Sequence, residues 1–135
     1  MRNRAAVLII ESGKIAVIER IREGKCYFVF PGGGIEPHET AETAAVREAK
    51  EELGVDVQII AKPAITKRTD GSVEFYFPAK ILSGTFGTGN GVEYDVGNGR
   101  GSYRPTWVGF QQLLLLDIFP REIAQSVVYK KIADS

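Results

Sequence analysis

Arg47-Glu48-Ala49-Lys50-Glu51-Glu52-Leu53-Gly54 is the stretch on which the reading of this chain turns. At about 100° per residue on a helix, Glu48, Glu51 and Glu52 fall within roughly 100° of arc on one face. Glu48–Glu51 and Glu48–Glu52 are then i,i+3 and i,i+4 neighbours, the spacings at which like charges repel. They also occupy the last two turns, where the helix dipole disfavours anions by a few tenths of a kcal/mol each, roughly. Thr40 stands where an N-cap belongs, Glu42 in the first turn and Gly54 where a left-handed C-terminal glycine belongs. The pattern predicts a helix over 41–53, and one selected for stability would carry lysines on that acidic face. Clustered carboxylate oxygens suit a hard cation such as Mg²⁺ or Mn²⁺. The alternative is a solvated acidic face partly neutralised by Arg47 and Lys50.

Immediately upstream, Phe30-Pro31-Gly32-Gly33-Gly34 reads as a tight turn delivering the chain into the helix, its glycines letting backbone groups approach a ligand closely. Further out, 5–10 and 14–21 are strand-like runs separated by the polar turn Glu11-Ser12-Gly13, and 26–30 is a third. Beyond the helix, 55–66 and 72–82 read as two strands joined at Asp70-Gly71, with Pro63 and Pro78 marking edges or bulges. Seven of the fifteen glycines fall between Gly84 and Gly101, which excludes a regular helix there. A strand over 103–110, a helical turn over 111–116 and a closing helix over 120–133 complete the order. It is an α+β pattern: a mixed sheet with helices packed against it, in a single domain spanning 1–135.

Composition narrows the function classes. The chain has 135 residues, 44% of them hydrophobic and 25% charged, as in ordinary globular domains. Seventeen basic residues balance seventeen acidic ones, which argues against a stable nucleic acid partner and against attraction to anionic membranes. The apolar run at 5–10 stops at Glu11, too short for a membrane span or a signal peptide. The lone Cys26 excludes an internal disulfide and reads as a small buried residue. A cytoplasmic protein is expected.

The residues from Gly33 to Val55 resemble the Nudix box: Gly33, Glu39, Arg47-Glu48, Ala49, Glu51-Glu52, Gly54, Val55. A random match at seven fixed positions, each at about 0.07, has odds of roughly 10⁻⁸ per window. Ala49 is a soft departure, since a larger aliphatic is usual there; Trp107-Val108-Gly109-Phe110-Gln111 also resembles the strand-to-helix passage of the family. The resemblance to the Nudix hydrolases (MutT-like) implies an α/β/α sandwich and divalent-metal-dependent hydrolysis of a nucleoside diphosphate linked to another moiety. It implies Mg²⁺ or Mn²⁺ on Glu48, Glu51 and Glu52, with the carbonyl of Gly32 or Gly33. Glu39 and Arg47 are implied to orient loop and helix, Gly54 to close the helix.

On the same resemblance, the general base that takes a proton from the attacking water is Glu48 or a glutamate of the late loop, Glu93. Arg20 matches a position that contacts substrate phosphate, and a homodimer is in keeping with similar proteins. A Nudix-fold nucleotide-binding or regulatory module without turnover is the alternative, which the intact glutamate set argues against. An isoprenoid diphosphate isomerase is weaker still, because Cys26 has no recognisable acid partner. The specific substrate is not legible: the stretch Asp70-Gly71-Ser72-Val73 carries none of the downstream signals of particular subfamilies.

Overall fold

The turn Glu11-Ser12-Gly13 makes the expected hairpin between β1 (Arg4–Glu11) and β2 (Lys14–Arg22). Ser12 and Gly13 both adopt positive φ, 52° and 76°, the hand that a two-residue hairpin connection requires. The computed structural model describes residues 2–89 and 101–134. The two strands pair at the hairpin end, Ile10 with Ile15 and Glu11 with Lys14, and then diverge. β1 continues antiparallel to β4 (Gly32–Gly34) and parallel to β7 (Val73–Gly84). β2 continues antiparallel to β3 (Lys25–Val29) and β8 (Ser102–Gly109). The divergence leaves a wedge, and the candidate site lies in it.

β5 (Val55–Ile59) and β6 (Ala64–Lys67) both pair antiparallel with β7, and β9 (Ile118–Phe119) runs parallel to β3. Together these make one mixed sheet, nine-stranded among the described residues. Side chains alternate across it. Ala5, Val7 and Ile9 pack beneath α1 (Ala41–Leu53), against its Ala44, Ala45, Ala49 and Leu53. Ala6 and Leu8 point the other way, toward Leu113 of α2 (Phe110–Leu113) and Ile123 and Ala124 of α3 (Arg121–Asp134). Because successive strand residues face opposite sides, the helices cover both faces, and the α/β/α expectation holds. Ala49 is fully buried with Ala44 and Ala45 in the contact of α1 with β1 and β5, a setting that suits a small residue at position 49.

The caps of α1 match the sequence reading. Thr40 Oγ1 accepts the Thr43 N–H at 3.1 Å, and Gly54, at φ 80°, donates its N–H to the Lys50 carbonyl. Other expectations need correction. The run 55–66 is two strands, interrupted at 60–63 around Pro63. Pro78 lies not at an edge but in β7, flanked by β1 on one side, where it stands opposite Leu8. Its carbonyl accepts the Ile60 N–H, so its missing donor falls on the side of the β5–β6 interruption, where no ladder bond is lost. The triple glycine is a strand rather than a turn. A Cβ on Gly32 would stand 2.5 Å from that of Ala6, so β4 can press against β1 only without side chains. Cys26 is exposed, not buried: it sits opposite Ile21 at the hairpin end of β2 and β3.

Candidate active site

The wedge between β1 and β2 forms a cleft of about 890 Å³. One end is acidic. Glu48 and Glu52, one helical turn apart on α1, are 7% and 5% exposed and line the cleft beside Gly32, Gly33 and Gly34. Glu52 Oε1 accepts the Gly32 N–H at 2.6 Å, tying the helix to β4. A Cβ on Gly33 would lie 2.5 Å from Glu48 Cδ, so the absence of a side chain makes the space that this carboxylate fills.

Arg47 organises the approach to that end. Its Nε and Nη2 grip both oxygens of Glu39 at 2.7 and 2.9 Å, a bidentate fork, and Nη2 also donates to the Gly34 carbonyl at 3.0 Å. Nη1 reaches Glu48 at 3.1 Å and Glu51 at 3.2 Å. Glu39 Oε1 further accepts the Glu36 N–H at 2.9 Å. The Arg47 hydrogen bonds, helped by that amide, hold the Glu39 carboxyl down at about 2, and the same pair raises Arg47. Glu39 and Arg47 therefore bind the segment between β4 and α1 to the helix. That is geometry in keeping with the orienting role expected of them.

Glu51 is set apart from its two companions. Its side chain is partly exposed, bonded to Arg47, and does not line the cleft. Among the described residues no three His, Cys, Asp or Glu side chains already form a group able to hold a metal ion. The donor chemistry nevertheless suits a divalent cation: two buried carboxylates from one helix face, opposite a side-chain-free strand whose backbone lies open to the same cleft. Glu93 lies outside the described residues. The chain leading toward it packs on the end of α1, where Gly87 donates to the Leu53 carbonyl.

Arg20 does line the cleft. On the central strand β2 it stands opposite Tyr27 of β3 and Tyr103 of β8, its guanidinium carbon 5.5 and 4.0 Å from their ring centroids. Its Nε is buried with no hydrogen-bond partner among the described residues. A guanidinium so held is stiff and keeps donors for an anion.

Sequence reasoning missed Arg4 of β1, Glu74 of β7 and Arg121, which with Lys67, Arg68 and Tyr76 line the opposite wall of the same cleft. Alternation puts Arg4 and Ala6 on one face of β1, and Glu74 and Tyr76 on one face of β7, but it is the parallel register that sets Arg4 against Glu74 and Ala6 against Tyr76. Glu74 is 4% exposed; its Oε1 accepts the Tyr76 hydroxyl at 2.8 Å and its Oε2 accepts Arg68 Nη1 at 3.0 Å. Burial above all, and then this bond, push the Tyr76 phenol up, and the Glu74 bond raises Arg68.

A mixed sheet between helical layers, with a glutamate-bearing helix facing a glycine strand across a cationic cleft, defines a class of small α+β domains. The NUDIX domain family model matches residues 1–126, and the chain belongs to that family. An RNA pyrophosphohydrolase of Marinomonas sp. is 36% identical over 83 residues, 59% of this chain and 47% of that protein. One from Pseudomonas savastanoi pv. phaseolicola is 40% identical over 83 residues, with the same shares. The chain thus spans about half the length of the curated relatives it matches. Among solved structures, a NUDIX hydrolase from Nitrosomonas europaea superposes with a TM-score of 0.72 at 23% identity, covering 94% of this chain and 68% of that one. At that identity the likeness establishes the fold.

Proposed function

We propose that this protein hydrolyses a nucleotide-type diphosphate, with a divalent cation as cofactor and water as the attacking group. The observation that carries the reading is the composition of one cleft: Glu48 and Glu52 at one end, and Arg4, Arg20, Lys67, Arg68 and Arg121 around it. A diphosphate brings anionic oxygens that suit the cations, and a divalent cation held by the carboxylates would offset the repulsion between the two sets of anions. Family membership and the pyrophosphohydrolase relatives support the same class of reaction.

Glu48 and Glu52 would hold the cation, Mg²⁺ or Mn²⁺, with Glu51 joining them once it leaves Arg47 and the Gly32 or Gly33 carbonyl adding an oxygen. When bound, it would neutralise phosphate charge and acidify water. Arg20 binds a phosphate oxygen through donors held in place by Tyr103 and Tyr27. Glu48 or Glu93 accepts the proton of the attacking water. Arg47 and Glu39 keep the helix face aimed at the cleft. Among the described residues no helix is long and apolar enough to cross a membrane.

The test is a panel of nucleoside triphosphates, nucleotide sugars, ADP-ribose and 5′-triphosphorylated RNA, each with Mg²⁺ or Mn²⁺ and with EDTA. Metal-dependent release of a phosphate-bearing product from one class is the expected result. No turnover of any member would refute the hydrolase reading, and tight nucleotide binding without product would favour a binding module.

A further inference from the structure

The acidic end and the cationic rim leave one cleft residue unexplained. Glu74 is a buried carboxylate on the wall away from the helix glutamates. By register it stands opposite Arg4, which stands opposite Gly34. Two strand spacings therefore separate it from the glycine strand, about 10 Å, a gap that a sugar and base can bridge. An ionised carboxylate accepts at about four positions; the Tyr76 hydroxyl takes one on Oε1 and Arg68 one on Oε2. Arg4 Nε also lies 3.8 Å from Oε2, an ion pair beyond hydrogen-bond reach, so each oxygen keeps one accepting position. Phe30 and Tyr76, both nearly buried, meet edge to face at 5.9 Å in the same cleft, and the half-exposed Phe119 also lines it, so aromatic rings border the space a base would enter.

We propose that Glu74 selects the nucleobase, accepting from an edge that carries two adjacent N–H donors, the edge of guanine. This rests on the nucleotide reading above and names the base that the site takes. An acceptor-only wall matches the guanine N1–H and N2–H together. Adenine and cytosine place a ring acceptor next to their amino group, and uracil flanks its single N–H with carbonyl oxygens, so each sets a lone pair against the carboxylate. Tyr76, kept protonated by its burial, donates to Glu74 and holds the carboxylate plane in place. The competing role for Glu74 is a strut that merely anchors Arg68 and Arg4 for phosphate, and it makes a different prediction, because phosphates are common to every nucleotide.

The experiment measures kcat/KM with Mg²⁺ for GTP, ITP and ATP in the natural protein and in Glu74→Gln. It adds calorimetric binding of GMP and AMP in EDTA. A preference for GTP over ATP of about tenfold or more is expected, with ITP, which lacks the amino group, in between. Glutamine offers one donor and one acceptor, the complement of adenine, so the GTP/ATP ratio of the variant should collapse or invert. Equal losses for all three nucleotides, or no guanine preference in the natural protein, would overturn the assignment. Should no nucleotide be hydrolysed, preferential GMP binding still upholds Glu74 while the hydrolase reading falls; equal binding of GMP and AMP by the natural protein overturns it even if the variant fails to fold.

Discussion

Glu52 is expected to do two separable things, and two substitutions take them apart. Its Oε1 accepts the Gly32 N–H at 2.6 Å in a buried setting. Its negative charge, on a carboxylate 5% exposed, faces the cleft. Glu52→Ala leaves the Gly32 amide buried without an acceptor, which costs about 1–3 kcal/mol. With about 4 °C per kcal/mol for a chain of this length, the midpoint value of 2 kcal/mol predicts a fall in Tm of about 8 °C. Glu52→Gln keeps an acceptor oxygen in place and removes the charge, so its Tm should stay within about 2 °C of the natural protein. Turnover should nonetheless fall about 100-fold or more in both, since a lost metal ligand removes several kcal/mol of charge stabilisation. Differential scanning fluorimetry reads the first effect and the product-release assay the second. Amide exchange at Gly32 adds a local readout: protection lost in Ala and kept in Gln. Equal melting shifts for the two variants would refute the hydrogen-bond role, and full activity in Glu52→Gln would refute the need for the charge.

Three further outcomes test the scaffold around that end. Arg47→Lys keeps a positive charge but cannot make the fork to Glu39 while reaching Gly34, Glu48 and Glu51, so Tm should drop despite the unchanged charge; an unaltered Tm would mean that charge alone suffices. The Glu39 carboxyl is held down at about 2 from 4.5, so the stability it adds is present above pH 4.5 and is lost as pH falls toward 2. The difference in Tm between the natural protein and Glu39→Gln should therefore be flat near neutrality and shrink across that acid window, and a difference that shrinks only above pH 6 would contradict the pairing. Leu113→Ala empties a fully buried position between α2 and the sheet, which should cost about 2–5 kcal/mol in urea unfolding and leave the GTP/ATP ratio unchanged.

What was legible in the sequence was whatever depended on neighbours along the chain. Thr40, Glu42 and Gly54 bracket α1 because capping is decided within one turn, and the three glutamates could be put on one face because helical spacing is regular. The wall formed by Arg4, Glu74 and Tyr76 was not legible, since its residues meet through parallel pairing of β1 with β7. No local signal announces such a register. The glycine run misled for a related reason: three glycines in a row read as a turn, but here they serve as a thin strand, with Ala5 and Ala6 crowding Gly32, Glu48 crowding Gly33 and Arg2 crowding Gly34. Glu51 shows the limit of counting spacings, because helical geometry sets the face while Arg47 determines where the carboxylate rests.

The pairing of β1 with β7 joins segments far apart in the chain; beside it, Asn3 Oδ1 accepts the Val73 N–H across 70 residues. The box that identifies the family lies wholly inside that span. A fragment ending before Val73 would keep every residue of the signature and yet have no far wall, so it would carry the motif without a pocket to use it in. The recognisable part of this protein and the working part are thus different lengths of chain, and the second comes into being when the ends of that loop meet.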